Sequence, residues 1–251
     1  MQQAPSLRSG APSETLIRIT MKKRTAPSVS AHAALVNARW AQGLSDELRR
    51  RVLAETTIRS VPVGGFVCRK GESAEQWIGV LDGLVKIVSV SPEGKSVSFI
   101  AVPTGGWFGE GALLKDERRL YDGIALRSTV IALVPRNTFM LLLDTSVAFN
   151  RFLLIQLNER LGQFVAMVEH GRMLGPDARL ARELAALFNP MLYPGSDKTL
   201  PVSQEELANL VGLPRQRVNQ ALRRLETAGL LRVGYRGVTI LDLEGLKRFE
   251  K

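Results

Sequence analysis

Between Ser203 and Ile240 the sequence leaves the chain few options, and this stretch fixes the class of structure more firmly than any other. Ser203-Gln204-Glu205-Glu206 carries the capping-box pattern: a hydroxyl at the N-cap and a carboxylate three positions on satisfy N–H groups that a helix start leaves bare. Leu207, Ala208, Leu210 and Val211 then give that helix an inner face. Gly212 follows where a sharp turn needs positive φ, and Pro214 suits the first turn of a second helix, where a missing N–H costs little. Ala208 is small where two helices crossing steeply over a tight turn leave no room for bulk. These features predict a helix-turn-helix.

The second helix is expected over about residues 214–227. At about 100° per residue, Val218, Ala221, Leu222 and Leu225 fall on one arc. Arg215, Gln216, Asn219, Gln220 and Arg223 fall on the opposite arc, with Arg217 and Arg224 at the flank. Arginine presents a fork to guanine O6 and N7, asparagine and glutamine match adenine N6 and N7, and the major groove is wide enough for a helix. The outer arc therefore has the chemistry of a base reader, with flanking arginines meeting phosphates. Ala228-Gly229 ends the helix. Residues 231–233 and 238–240 alternate about Gly234-Tyr235-Arg236-Gly237, which predicts a β-hairpin wing with Arg232, Tyr235 and Arg236 resting on the DNA backbone.

The charge balance points the same way. Against 24 Asp and Glu stand 34 Lys and Arg, a formal net charge of +10 that attracts polyanions. Hydrophobic residues at 45% and charged residues at 23% make a globular composition, which excludes collagen-like and low-complexity chains. One cysteine, Cys68, and two histidines are too few for a disulfide framework, a zinc module or an iron–sulfur cluster, and they suit the cytoplasm. No stretch reaches the roughly 18 apolar residues of a membrane span, because the richest, 138–149, is broken by Asp144, Thr145 and Ser146. No membrane partner is expected. Residues 1–30, rich in Ala, Ser, Pro and basic residues, read as a flexible tail with a solvated cluster at Lys22, Lys23 and Arg24, and offer Met21 as an alternative start.

Between tail and reader the texture changes twice. Ser45 and Asp46 cap a short amphipathic helix with Leu44, Leu48 and Val52 along one side. Short segments rich in β-branched and aromatic residues follow to about residue 134, punctuated by Gly, Pro, Ser and Asp turns at the spacing of a small barrel or jelly roll. Then Val147, Asn150, Leu154, Leu157, Leu161, Phe164 and Val168 recur at alternating intervals of three and four, which suits the seam of a two-stranded coiled coil with Asn150 setting register, the alternative being a helix packed on its own β-domain. Gly175-Pro176 breaks that helix, an amphipathic helix follows over 177–188, and 189–198 reads as a loop. The expected organisation is a tail (1–30), a β-domain (31–143), a dimerisation helix (144–173) and a DNA-binding domain (174–251).

At this point the sequence resembles the catabolite-activator/FNR (CRP/FNR) family of bacterial transcription regulators, over about residues 44–249. Residues 67–72 (Val-Cys-Arg-Lys-Gly-Glu), 79–86 (Gly-Val-Leu-Asp-Gly-Leu-Val-Lys) and 106–110 (Gly-Trp-Phe-Gly-Glu) are similar to the family's β-roll sensor, and 202–208 with 212–218 to its DNA-binding element. The resemblance implies an α+β fold with an N-terminal cyclic-nucleotide-binding-like β-roll (jelly roll), a long central dimerisation helix and a C-terminal winged helix-turn-helix. It implies a homodimer on a palindromic operator and RNA polymerase as partner. Arg215, Gln216 and Gln220 match base-reading positions; Ser203, Gln204 and Arg217 match phosphate contacts.

Departures from the family pattern concern the sensor. Members that bind a cyclic nucleotide place an Arg-Ser or Arg-Thr pair about ten residues after Gly-Glu. Here that offset from Gly109-Glu110 lands on Leu120-Tyr121, which implies a degenerate effector pocket and an effector other than cAMP, with Arg118 or Arg119 substituting only if the loop shifts. One cysteine excludes the iron–sulfur branch; for haem, His32 is assigned to the tail and His170 to the surface or an interface, so no cofactor is expected. An unknown small-molecule effector stays open, as does a cyclic dinucleotide. Enzymatic readings find no support: Gly94-Lys95-Ser96 ends like a P-loop but has Ser89 where the motif needs glycine. The sequence also contains no Gly-x-Ser-x-Gly elbow or metal-spaced histidine pair.

Overall fold

The computed structural model describes residues 29–91, 93, 96–235 and 237–250. The Lys22–Arg24 cluster, the Gly94-Lys95 pair and Arg236 lie outside the described residues. Helices α1 (Val29–Val36), α2 (Arg39–Gln42) and α3 (Asp46–Glu55) lead in, and the Ser45 hydroxyl caps α3 by accepting from Leu48 N–H at 3.3 Å. His32, expected in the tail, stands exposed on α1, because the alanine-rich run 31–36 packs Leu35 into the core.

The sensor is a β-roll of two four-stranded sheets. One orders β1 (Thr57–Val61), β8 (Thr129–Pro135), β3 (Gln76–Asp82) and β6 (Trp107–Phe108); the other β2 (Phe66–Cys68), β7 (Asp122–Ala125), β4 (Leu84–Val90) and β5 (Ser96–Pro103). Every pairing is antiparallel, as in Ile78 against Leu133 and Ile87 against Ile100. Inward residues of both sheets, among them Ile78, Val80, Val85, Ile87, Val102 and Ile131, form one core between them. A second core joins one sheet to the helices around all three tryptophans: Trp40, Trp77 and Trp107 lie 4.3–5.2 Å apart between ring centroids, with Phe139 and Phe149 packed edge-on or tilted. Aromatic contacts of this kind are worth about 0.5–1.5 kcal/mol each beyond burial.

Helices α4 (Glu110–Lys115) and α5 (Arg136–Thr145) complete the sensor, and α6 (Val147–Met173) leaves it. Phe149, Leu153 and Gln156 bury one side of α6 against the roll. The expected seam therefore divides. Val147, Leu154, Leu161 and Val168 are exposed, but Asn150, Leu157 and Phe164 turn toward their own chain. Asn150 Nδ2 donates to the carbonyls of Leu143 at 2.5 Å and Ser146 at 3.2 Å, so its amide hydrogens serve the α5–α6 corner rather than register. The bare face runs 147, 151, 154, 158, 161, 165, 168, 172, a 4-3 repeat rotated by one position on alternate steps. A stripe wide enough to cover both the roll and an outer face looks, in sequence, like one seam.

Beyond the break at Gly175, α7 (Pro176–Ala186), α8 (Gln204–Val211), α9 (Arg215–Thr227) and α10 (Leu243–Arg248) pack around Leu180, Leu184, Leu207, Val218, Leu222 and Leu225. Strands β9 (Thr199–Leu200), β11 (Gly237–Ile240) and β10 (Leu231–Gly234) form an antiparallel sheet. Leu84 and Ala101 of the roll belong to the same core, so sensor and reader are in contact.

Candidate nucleic-acid interface and sensor site

Helix α8 is set by a complete capping box: Ser203 Oγ accepts from Glu206 N–H at 3.1 Å, and Glu206 Oε2 accepts from Ser203 N–H at 2.7 Å. Gly212 caps its other end at φ 66°, where a side chain is strained, and Pro214 serves α9 as N-cap rather than first-turn residue. With Val218, Ala221, Leu222 and Leu225 fully buried, the rotation of α9 about its axis is fixed and its opposite arc faces outward.

Arg215, Gln216, Gln220 and Arg223 are exposed, as expected of a reading face. Asn219 is different: it is half-buried and its Oδ1 is enclosed without a hydrogen-bond partner. The flanking arginines are also redirected. Arg224 forms an ion pair with buried Asp177 in the first turn of α7; Arg217 lies 3.9 Å from the same carboxylate and donates to Gln220 Oε1 at 2.5 Å. Asp177, which the sequence reading passed over, thus locks α9 onto α7. Its signal was an acid just after the Gly-Pro break, at a helix start. Arg217 also holds the Gln220 amide in one orientation.

The wing is tied to the reader through Val233 N–H, which donates to Glu226 Oε1 at 2.8 Å. Arg232 is exposed on β10 and Tyr235 is fully exposed at the tip. Between wing and α8 lies a groove of about 260 Å3 lined by Ser203, Gln204, Arg215 and Tyr235, with exposed Ser203 and half-buried Gln204 at the α8 N-terminus, where N–H groups favour anions.

In the sensor, Gly109 stands at φ 92° before α4, and Glu110 is 4% exposed with Oε2 unpartnered. Here the expectation for the following loop is corrected. Leu120 is 65% exposed, whereas Arg119 is 4% exposed and enters the roll. Its backbone pairs with Glu72 and Gly71, which sets the loop one position earlier than the spacing rule implies; Nη2 donates to Gln76 O at 2.7 Å and Nη1 has no partner. Tyr121 is half-buried, and burial, then the neighbouring Glu110 and Cys68, push its phenol well up. Cys68 is itself buried, which raises its thiol, so it is an inert core residue.

The loop after α7 is not passive. Leu192 and Tyr193 are buried in the core between the two sheets, and Tyr193 Oη donates to Gln163 Oε1 at 3.2 Å. Arg160 lies beside them, donating to Trp107 O at 2.9 Å. Burial opposes its charge, but Tyr193, Glu110 and Tyr121 nearby raise its pKa overall. The apolar triplet Met191-Leu192-Tyr193 inside a Pro/Gly loop was the overlooked sign of an anchored segment.

A β-roll whose core reaches a long helix and a winged helix-turn-helix defines a class of protein that couples a sensor to DNA. The comparisons agree. Residues 58–146 match the cyclic nucleotide-binding domain family and residues 178–249 the Crp-like helix-turn-helix domain. Transcriptional regulator SdrP of Thermus thermophilus is 31% identical over 170 residues, 67% of this chain and 80% of the relative. Transcriptional regulator LdrP of the same species is 30% identical over 181 residues, covering 71% of this chain and 89% of its own length. A solved CRP/FNR-family transcriptional regulator, also from Thermus thermophilus, superposes with TM-score 0.56 at 27% identity, covering 76% of this chain and 96% of that one. The chain belongs to the CRP/FNR family of transcriptional regulators, DNA-binding proteins with a helix-turn-helix and a cyclic-nucleotide-binding-type sensor.

Proposed function

We propose that this regulator binds a palindromic operator as a homodimer in the cytoplasm and acts through RNA polymerase. The observation that carries the reading is α9: a helix fixed by four buried side chains, with Arg215, Gln216, Gln220 and Arg223 exposed on its outer arc. In this reading Arg215, Gln216 and Gln220 meet bases, and Ser203, Gln204, Arg223 and Arg232 meet phosphates. Arg217 serves the reader from behind, through Gln220 and Asp177. The unpartnered face of α6 supports the dimer. Val147 is 75% and Leu161 62% exposed, Val165 and Val168 continue the stripe, and Val168 and Val97 line one groove. Two copies joined there would set their reading helices about 34 Å apart, one turn of DNA. Leu161→Asp is expected to sediment as a monomer with the sensor folded; a dimer would contradict this surface.

For the effector, we propose a ligand other than cAMP. Leu120 supplies no hydroxyl beside Arg119, and Tyr193 and Leu192 already occupy the inter-sheet core. A second reading, a cyclic nucleotide or dinucleotide, is favoured by the unpaired Nη1 of Arg119 and Oε2 of Glu110. Calorimetry with cAMP and with a cyclic dinucleotide separates the two: no saturable heat is expected from either, and micromolar binding of either selects the second.

A further inference from the structure

A cavity of about 230 Å3 lies apart from Glu110 and Arg119, where α2 and α6 meet the loop after α7. Trp40, Leu81, Trp107 and Phe152 give it an apolar, largely aromatic wall, and Met191, Leu192 and Pro194 close it from the DNA-binding side. Two of its lining residues hold donors without acceptors: Trp40 is 1% and Gln156 3% exposed, and Trp40 Nε1 and Gln156 Nε2 are both buried and unpartnered. Unpaired buried donors are costly, and an acceptor carried by a ligand removes that cost. Arg39 stands at the rim. Its Nη1 donates to Pro190 O at 3.0 Å and to Met191 Sδ at 3.1 Å, and no acid pairs with it among the described residues.

Size narrows the ligand. A cavity of about 150 Å3 takes up benzene, and pockets for drug-sized molecules start near 300 Å3, so the space here suits one ring with a short substituent. We propose that this cavity is a binding site for a small aryl carboxylate, its ring against Trp40 and Trp107 and its carboxylate on Arg39 and the Gln156 amide. Because the walls come from sensor and DNA-binding side alike, such a ligand favours the arrangement in which the two are docked. By linkage, it changes DNA affinity by the factor by which DNA changes its own. The binding claim stands on the cavity alone; the regulatory consequence rests on the DNA-binding reading above.

The test uses the full chain without DNA, titrated with benzoate, benzyl alcohol and benzylamine, and follows tryptophan fluorescence and melting temperature. All three tryptophans lie in one cluster and two line the cavity, so occupancy is reported directly. Benzoate is expected to saturate with a dissociation constant on the order of 0.1 mM, with benzylamine at least about tenfold weaker. Arg39→Gln, at an exposed position, is expected to weaken benzoate about tenfold and benzyl alcohol less than about twofold, the alcohol reporting any loss from the loosened loop alone. Gln156→Met is expected to weaken both. Absence of saturation, or benzoate binding indifferent to Arg39→Gln, overturns the site. In a separate titration with operator DNA, benzoate is expected to shift affinity severalfold; binding without a shift removes the regulatory role and leaves the site.

Discussion

Helix α9 and the segment from Gly109 through α4 to Tyr121 each gather polar side chains, and they use them in opposite ways. In α9 the apolar arc is spent on the core, while Arg215, Gln216, Gln220 and Arg223 face water. In the segment, Glu110 and Arg119 go inside with atoms left unpaired, and apolar Leu120 is the residue expelled. Groups held ready for a partner outside are cheap to keep because water solvates them. Groups held ready inside carry a desolvation cost that something must offset, whether Arg160 and Tyr193 or a ligand. The outward face of α9 can thus change at little cost to the fold, whereas a change at Glu110 or Arg119 alters the pairing of the buried groups around it.

The largest expected effect tests the interior half of that contrast. Tyr193→Ala removes a fully buried ring from the inter-sheet core and is expected to cost about 3 kcal/mol in denaturant unfolding, the low end for a large aromatic. A loss below about 1 kcal/mol would mean that the loop is not anchored. Next comes the outer half. Arg215→Ala should cost about 1–3 kcal/mol on a selected operator and relax preference at one base pair, with the melting temperature unchanged. Equal loss on random DNA would deny its base-reading role. Arg223→Ala should be smaller and uniform across sequences, lowering the slope of log K against log salt by about 0.9.

The smallest effect lies at the α6–α7 corner, where His170 Nδ1 sits 3.7 Å from Glu183. Burial, then Arg182, holds the His170 imidazole below its ordinary value, and burial raises Glu183. A histidine whose folded pKa is depressed takes up its proton first in the unfolded chain, so stability falls as pH drops through about 6.5 toward the folded value. Glu183 acts with the opposite sign, losing stability as pH rises from about 4.3 toward its folded value. Unfolding measured between neutral and mildly acidic pH should show a shallow loss that His170→Gln flattens; an unchanged slope would leave His170 without a part in it.

How much was legible follows from geometry. A regular helix repeats at a fixed angle, so Val218, Ala221, Leu222 and Leu225 could be placed inside from the sequence alone, and the capping box and turn glycine are local chemistry that needs no distant partner. The β-roll showed itself through its turns. Counting residues failed in the loop after α4, because its register is set by backbone pairing of Arg119 with Gly71 and Glu72, far away in sequence. Asn150, Leu157 and Phe164 fit the heptad pattern yet serve their own sensor, since apolar spacing cannot say which of two surfaces a helix meets. Asp177, Arg160 and Tyr193 matter through contacts spanning 30 residues or more, which periodicity does not encode.

Selection of bound sequences from a random duplex pool tests the central claim most directly. The wild-type chain is expected to enrich a two-fold symmetric site with half-site centres about 34 Å apart, and Arg215→Ala to lose preference at one position in each half. A pool that stays random at moderate salt, or an enriched motif that Arg215→Ala, Gln216→Ala and Gln220→Ala all leave intact, would contradict the assignment of α9 as the reader.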